Sequence, residues 1–359
     1  MKAGIIGLPS TGKSTLFSLL TGAPAPAPGG RPEPRVGIAR VPDPRVEALA
    51  AMYRPKKKTP ATVEYADMPG VAKGEGAALV DLPALRGVDL LVHVVRAFES
   101  EVVPHPEGSV DPLRDARMLE LELILADLGT VERRLERLEA NIKKANRAED
   151  VAERAVFLRM KEALEAERPL RDVETSAVDR RKLRGYALLS EKPLLLVVNM
   201  GEGQVREASE ALARTGLAAF AAEGASRAVC AVSAPIEAEM AQLSAEDAQA
   251  FRDDLSLKEP GLDRVIRTSY ELLGLISFLT AGEDECRAWT IRGGTRAQEA
   301  AGTIHSDIER GFIRAEVVAF EDLMKAGSLA ACREAATLRL EGKDYVVRDG
   351  DVINFRFNV

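Results

Sequence analysis

The chain is poor in cysteine. Its 359 residues hold three, Cys230, Cys286 and Cys332, and none stand at a spacing that would grip a metal ion. So sparse a set excludes a disulfide framework and implies a reducing, cytoplasmic compartment. Long apolar runs are lacking too. None approaches the roughly 18 residues a membrane span requires, and the opening MKAGIIGLPS has neither the length nor the cleavage site of a signal peptide. There is no excess of positive charge. With 49 Lys and Arg against 56 Asp and Glu the net charge is −7, which excludes a protein coated in basic surface for DNA but leaves room for local basic patches. No internal repeat is present. The rest is ordinary for a soluble globular protein, taken to be a monomer: 46% apolar and 29% charged residues, with enough chain for two or three domains.

Short apolar runs with strand character recur at Ala3–Leu8, Thr62–Asp67, Asp89–Val95, Leu194–Asn199 and Ala228–Ala234. Helical patterns separate several of them, as in a parallel sheet covered on both faces. Between the third and fourth runs Leu128, Val131, Leu135, Leu138 and Ile142 step by three and four, followed by Phe157, Met160 and Leu164. That is the seam of two antiparallel helices, and predicts an arm over 119–185 inserted into an α/β domain of 1–118 and 186–275. The texture changes again over 276–359. Ala297, Ala301, Ile304, Ile308 and Phe312 fall on one helix face, and VINFRFNV alternates, with Ile353, Phe355, Phe357 and Val359 to one side. This is a small α+β module.

Gly7-Leu8-Pro9-Ser10-Thr11-Gly12-Lys13-Ser14 fits G-x-x-x-x-G-K-[ST], after the first strand and before a helix that continues through Thr15. The glycines let the loop of Pro9, Ser10, Thr11 and Gly12, running on to Thr15, turn its backbone N–H groups inward onto phosphate oxygens, and the helix N-terminus adds positive potential. Lys13 is placed for the β- and γ-phosphates and Ser14 for Mg²⁺. Asp67 ends a strand, where a carboxylate holds Mg²⁺ through water, and Gly70 follows at D-x-x-G spacing, so that its N–H meets the γ-phosphate. Together these indicate a switch-type nucleoside triphosphatase.

The base reader of such proteins is N-K-x-D. Here the fork is Asn199-Met200-Gly201-Glu202. Methionine replaces the lysine that packs on the base plane, and the acid is one methylene too long for the guanine edge. The Asn199 amide pairs with adenine N6 and N7, and Ser233-Ala234 supply backbone N–H groups. ATP is expected, with GTP as the alternative.

VPDPRVEAL (Val41–Leu49), KGEG (Lys73–Gly76), HVVRAFE (His93–Glu99), VDPLRDA (Val110–Ala116), EPGLDRVIRTSYELLGL (Glu259–Leu275), RAWTIRGGT (Arg287–Thr295) and the tract through the last residue give the chain a resemblance, over its whole length, to the Obg-like ATPase family, YchF. The resemblance implies a Ras-like P-loop domain, a coiled-coil arm and a C-terminal TGS domain of ubiquitin-like β-grasp. It implies an N-x-x-E fork that prefers ATP, and association with ribosomes in translation or stress responses. It also implies catalysis by a histidine from a mobile loop, matched by His105, with Val71 replacing the usual water-orienting glutamine. His93 is read as a satisfied core residue and His305 receives no role.

Three departures fall on the hydrolysis machinery. Ser10 stands where the family has asparagine. Gly22 to Ile38 is a Pro/Gly/Ala tract without a switch threonine, read as extended or disordered. The segment after Gly70 is short. Binding is therefore firmer than turnover, and a nucleotide-binding scaffold with little hydrolysis is the second reading. For the ribosome, both rRNA and ribosomal proteins, the candidate contacts are Arg54-Pro55-Lys56-Lys57-Lys58 and, on the arm, Lys143, Lys144 and Arg147.

Overall fold

The computed structural model describes residues 1–24, 35–68, 83–224 and 226–358. Among these, the strands in chain order are β1 (Lys2–Ile6), β2 (Arg35–Arg40), β3 (Lys57–Thr59), β4 (Thr62–Asp67), β5 (Leu90–Arg96), β6 (Leu194–Asn199), β7 (Arg227–Val232), β8 (Leu275–Thr280), β9 (Glu285–Arg292), β10 (Phe312–Ala319), β11 (Arg339–Glu341) and β12 (Asp351–Phe357). They form two compact units, Met1–Ile38 with Glu64–Leu272, and Ala39–Val63 with Leu273–Val359.

The first unit is built on a sheet of order β2-β4-β1-β5-β6-β7. β1 runs parallel to β4 and β5, β5 to β6, and β6 to β7. All residues of β5 and β6 are buried, because helices cover both faces of a parallel sheet. The five apolar runs of the sequence are five of these strands. The register pairs Ile6 with His93, His93 with Leu196, and Arg96 with Asn199, so the loops after β1, β5 and β6 emerge at one edge. β2 is the strand that the sequence does not announce. It occupies Arg35–Arg40, part of it inside the tract expected to be extended or disordered, where alternating burial replaces a continuous apolar run.

Helix Pro112–Ala145 serves two cores. Asp111 caps its N-terminus by accepting from Arg114 N, Pro112 opens it, and Lys143 and Lys144 complement its C-terminal dipole. Ala116, Leu119, Leu123 and Ala126 pack into the core of the sheet. Farther along, Val131, Leu135 and Leu138 close a second core with Phe157, Met160 and Leu164 of helix Ala148–Glu165. The arm therefore grows out of a domain helix without a linker, and its expected start at Leu119 falls mid-helix. Near the tip the seam loosens, and Ile142 is half-buried.

In the second unit the sheet order is β11-β10-β12-β8-β9-β3. β8–β9 and β10–β12 are antiparallel, and β12 meets β8 in parallel. β3 adds to the edge of β9, Lys57 opposite Glu285. Segment Ala39–Val63, expected in the P-loop domain, thus clusters with the C-terminal module. The expected single helix over Ala297 to Phe312 is broken at His305, whose φ of −162° is extended and whose Nδ1 accepts from Asp307 N at 3.1 Å. Helix Ala297–Ile304 ends there and a second turn begins. Ile353 and Phe355 are buried as the alternation predicts, but Phe357 is 44% exposed at the end of its strand; Val359 lies outside the described residues.

Candidate nucleotide site

The loop between β1 and helix Lys13–Thr21 is shaped by what presses on its glycines. A Cβ on Gly7, at φ +148°, would meet Val94 O at 2.5 Å, and one on Gly12, at φ +92°, would meet Asn199 Nδ2 at 2.4 Å. Both glycines of the motif are therefore demanded by the ends of neighbouring strands. Ser10 sits in the left-handed region at φ 60°, where asparagine is tolerated better than serine. Pro9, Ser10 and Thr15 are exposed, Thr11 is buried, and Ser14 is half-buried on the first helical turn.

Lys13 is buried, and its ammonium donates to Leu8 O at 2.5 Å, as Thr11 Oγ1 does at 3.1 Å. Burial lowers the Lys13 pKa to about 8, opposed by the charge of Asp67. Asp67 is itself buried. Its Oδ1 has no hydrogen-bond partner and its Oδ2 lies 3.7 Å from Arg35 Nε. A buried carboxylate oxygen left without a donor fits a hydrated Mg²⁺, which takes few ligands from protein, and Ser14 offers a hydroxyl on the first turn of the helix. Arg35 belongs to the tract read as extended or disordered. Its guanidinium lies over Phe17 at 4.7 Å and bonds Pro24 O and Ser18 Oγ.

Asn199 corrects its expected role. Its Nδ2 donates to Thr11 O at 3.0 Å and its Oδ1 accepts from Ala234 N at 3.1 Å. The side chain is 3% exposed and staples the phosphate loop to the Ser233-Ala234 turn. Its oxygen is spent, and so is the Ala234 N–H that was expected at the base edge. One N–H of Asn199 remains. Met200 is buried in the core beneath the fork rather than open beside it, while Glu202 is exposed and makes no ion pair among the described residues. Ser233 Oγ is buried without a partner.

The histidines also differ from expectation. His105 is not free on a mobile loop. Its side chain is 3% exposed, Nε2 stands 3.0 Å from Asp115 Oδ2, and Nδ1 accepts from Glu107 N at 3.1 Å. The Nε2–Asp115 contact is close but not aligned as a hydrogen bond. His93 is a core residue whose Nε2 has no partner; burial, with Lys13 adding, lowers its pKa to about 3. Gly70, Val71 and Lys73–Gly76 lie outside the described residues.

Sequence reasoning missed Arg96 and Phe98. Arg96, 1% exposed, donates to Phe98 O and Val103 O at 2.9 Å each and stacks 4.5 Å from the centre of the Phe98 ring. It pins both ends of the turn that leads to His105. Phe98 Cβ lies 3.5 Å from where a Cβ on Gly201 would stand, against the fork. The available signal was a charged residue closing an otherwise apolar strand.

The two basic patches part company. Lys56, Lys57 and Lys58 reach Asp284, Glu285 and Glu47 at 2.7, 3.3 and 2.6 Å, so this run is an edge strand with its charges answered rather than an open loop. Lys143, Lys144 and Arg147 are exposed at the arm tip. The three cysteines are buried and unpaired, and no described helix is long and apolar enough to cross a membrane.

Comparison with known proteins decides the lineage. The ribosome-binding ATPase YchF of Bacillus subtilis is 45% identical over 366 residues, covering 100% of both chains. The chain belongs to the YchF family of Obg-like ATPases. The E. coli O157:H7 ribosome-binding ATPase YchF is 40% identical, with 100% of this chain and 99% of the relative covered; Obg-like ATPase 1 of Oryza sativa is 36% identical, with 100% and 92% covered. The solved YchF GTPase of Schizosaccharomyces pombe superposes with a TM-score of 0.85 at 30% identity, over 99% of this chain and 97% of that one. Residues 2–122 match the family model described as MMR_HSR1, 50S ribosome-binding GTPase, and residues 275–358 match YchF-GTPase_C, a protein of unknown function. The names of these YchF relatives divide between ATPase and GTPase. The base must be argued from the site.

Proposed function

We propose that the chain binds and hydrolyses ATP at the phosphate loop, and that its nucleotide state sets its affinity for the ribosome. The observation that carries the base assignment is the engagement of Asn199. With its oxygen spent on Ala234 N, its remaining N–H serves N7, an atom adenine and guanine share. Discrimination then falls on Glu202, an acceptor that suits the adenine amino group and opposes guanine O6. Phe98 offers the apolar face for the base.

Backbone N–H groups of Ser10 to Thr15, at the helix N-terminus, receive the phosphates; Pro9 has no N–H and shapes the loop. Lys13 leaves Leu8 O for the β- and γ-oxygens, and Gly70 N–H meets the γ-phosphate. Ser14 and Asp67 would hold Mg²⁺, which would supply charge neutralisation during phosphoryl transfer. His105 acts only after it leaves Asp115. The domains are read as a P-loop domain, the arm of 119–185, and a TGS module over 276–359 extended by β3. The arm tip, where Lys143, Lys144 and Arg147 form no ion pair among the described residues, is the surface for rRNA in the cytoplasm. For the YchF relatives the ribosome is part of the printed name.

Calorimetry tests the base. ATP binds tighter than GTP, and Glu202→Asp narrows the ratio; tighter GTP binding by the native chain overturns the assignment. Ribosome cosedimentation weakens with salt and on Lys143→Glu with Lys144→Glu; insensitivity to that reversal removes the arm tip from the interface.

A further inference from the structure

The tract from Gly22 to Ile38 contains two arginines and neither serine nor threonine, so it has no hydroxyl to turn toward a metal ion. One of the arginines, Arg35 at the start of β2, instead brings its guanidinium to the acid expected to hold that ion. Arg35 Nε lies 3.7 Å from Asp67 Oδ2. The rest of the group rests on helix Lys13–Thr21, 4.7 Å over the Phe17 ring, with Nη2 donating to Ser18 Oγ at 3.4 Å and Nη1 to Pro24 O at 2.9 Å. Ser14 and Ser18 are four apart on that helix and share a face. The guanidinium is thus bonded one turn, about 6 Å, along the helix from the hydroxyl assigned to Mg²⁺.

The contact with Asp67 is not a finished ion pair. An arginine that serves only to bind a carboxylate closes on it with two N–H groups at about 2.7–2.9 Å, as Arg134 does on Glu153 at 2.9 and 2.8 Å. Here Arg35 Nε is buried with no acceptor, and Asp67 Oδ1 is buried with no donor. A free donor and a free acceptor stand side by side in the site read as taking phosphates. Arg35 forms no other ion pair among the described residues, and its side chain is 26% exposed against 9% for Asp67. The guanidinium has room to turn, and the carboxylate does not. On the free chain this cation offsets the Asp67 charge. Toward a triphosphate it is a further positive group, after Lys13 and the helix N-terminus, with a fork that meets two phosphate oxygens at once.

We propose that Arg35 is a phosphate-binding residue that takes over part of the charge neutralisation otherwise left to Mg²⁺, so that the chain holds a nucleoside triphosphate with the metal withheld. The inference rests on the reading of the phosphate loop as a triphosphate site, and it holds for ATP and GTP alike. The guanidinium stays charged at any working pH, is weakly hydrated, and breaks no hydrogen bond to a carboxylate when it turns.

The test is a calorimetric titration of the full chain with ATP and with GTP, in excess EDTA and again in excess Mg²⁺. The readout is the ratio of the two dissociation constants for each nucleotide. The native chain binds nucleotide in EDTA. Arg35→Gln weakens that binding about tenfold, the scale of a hydrogen bond to a charged group, and leaves the Mg²⁺ value within about threefold, because the metal then covers the same charge. Arg35→Lys, which keeps the charge without the fork, keeps most of the binding in EDTA. Retained affinity in Mg²⁺ also shows that the variants fold. An equal loss in both solutions overturns the proposal and makes Arg35 a structural prop between β2 and the helix. So does a native chain that binds in Mg²⁺ but not in EDTA, or an Arg35→Gln variant that binds as the native chain does. A native chain that binds neither nucleotide in either solution fails earlier, at the phosphate loop, and takes this inference with it.

Discussion

Gly12 shows how tightly single residues are constrained in the phosphate loop. Its Cβ position is 2.4 Å from Asn199 Nδ2, and its φ is positive, so Gly12→Ala both strains the backbone and pushes away the side chain that staples the loop. A loss of about 2 kcal/mol is expected on denaturant unfolding, with at least a tenfold loss of ATP affinity by calorimetry. Lys13 adds a pH dependence. Burial holds its pKa at about 8, below the ordinary 10.5, so above pH 8 the free protein increasingly carries a neutral amine. Phosphate binding then requires proton uptake, and ATP affinity falls by up to tenfold per pH unit between about 8 and 10. Titrations in buffers of different ionisation enthalpy read the proton directly. The same shift makes folding stability rise with pH between about 8 and 10.5, because the unfolded chain binds the proton more tightly there.

At the scale of elements, helix Gly261–Leu272 begins on a buried acid. Glu237 Oε1 accepts from Gly261 N at 2.6 Å. Burial raises the Glu237 carboxyl from 4.5 to about 7, against that hydrogen bond and with Asp263 adding. Between those values the folded chain binds more protons than the unfolded one, so stability falls as pH rises through the window and levels off above it. Glu237→Gln removes the slope, worth about 3 kcal/mol at most. Denaturant melts between pH 5 and 8 with an unchanged slope in the variant would refute this. The arm teaches a second lesson about elements. Its seam from Val131 to Leu138 is legible as a heptad-like pattern, but the junction is not, because one uninterrupted helix turns its first half to the sheet and its second half to the partner helix.

For the whole molecule, the unit boundary crosses the chain order. β3 pairs with β9, Arg45 bridges Asp43 and Asp349, and Thr59 bonds Glu285. A fragment of residues 273–359 alone should therefore melt lower than one in which 39–63 is joined to it by a flexible linker; equal melting temperatures would show that the edge strand adds nothing. The parallel sheet, the phosphate loop, the helical pair and the family are legible in the residues alone, because each rests on local signals: continuous apolar runs, glycines at fixed spacing, a 3–4 step, motifs in order. The packing of distant segments adds that Asn199 ties two loops together, that His105 is held against Asp115, and that Lys56, Lys57 and Lys58 are matched by carboxylates. Those facts depend on contacts between residues far apart in the chain, where side chains find partners that no local pattern records.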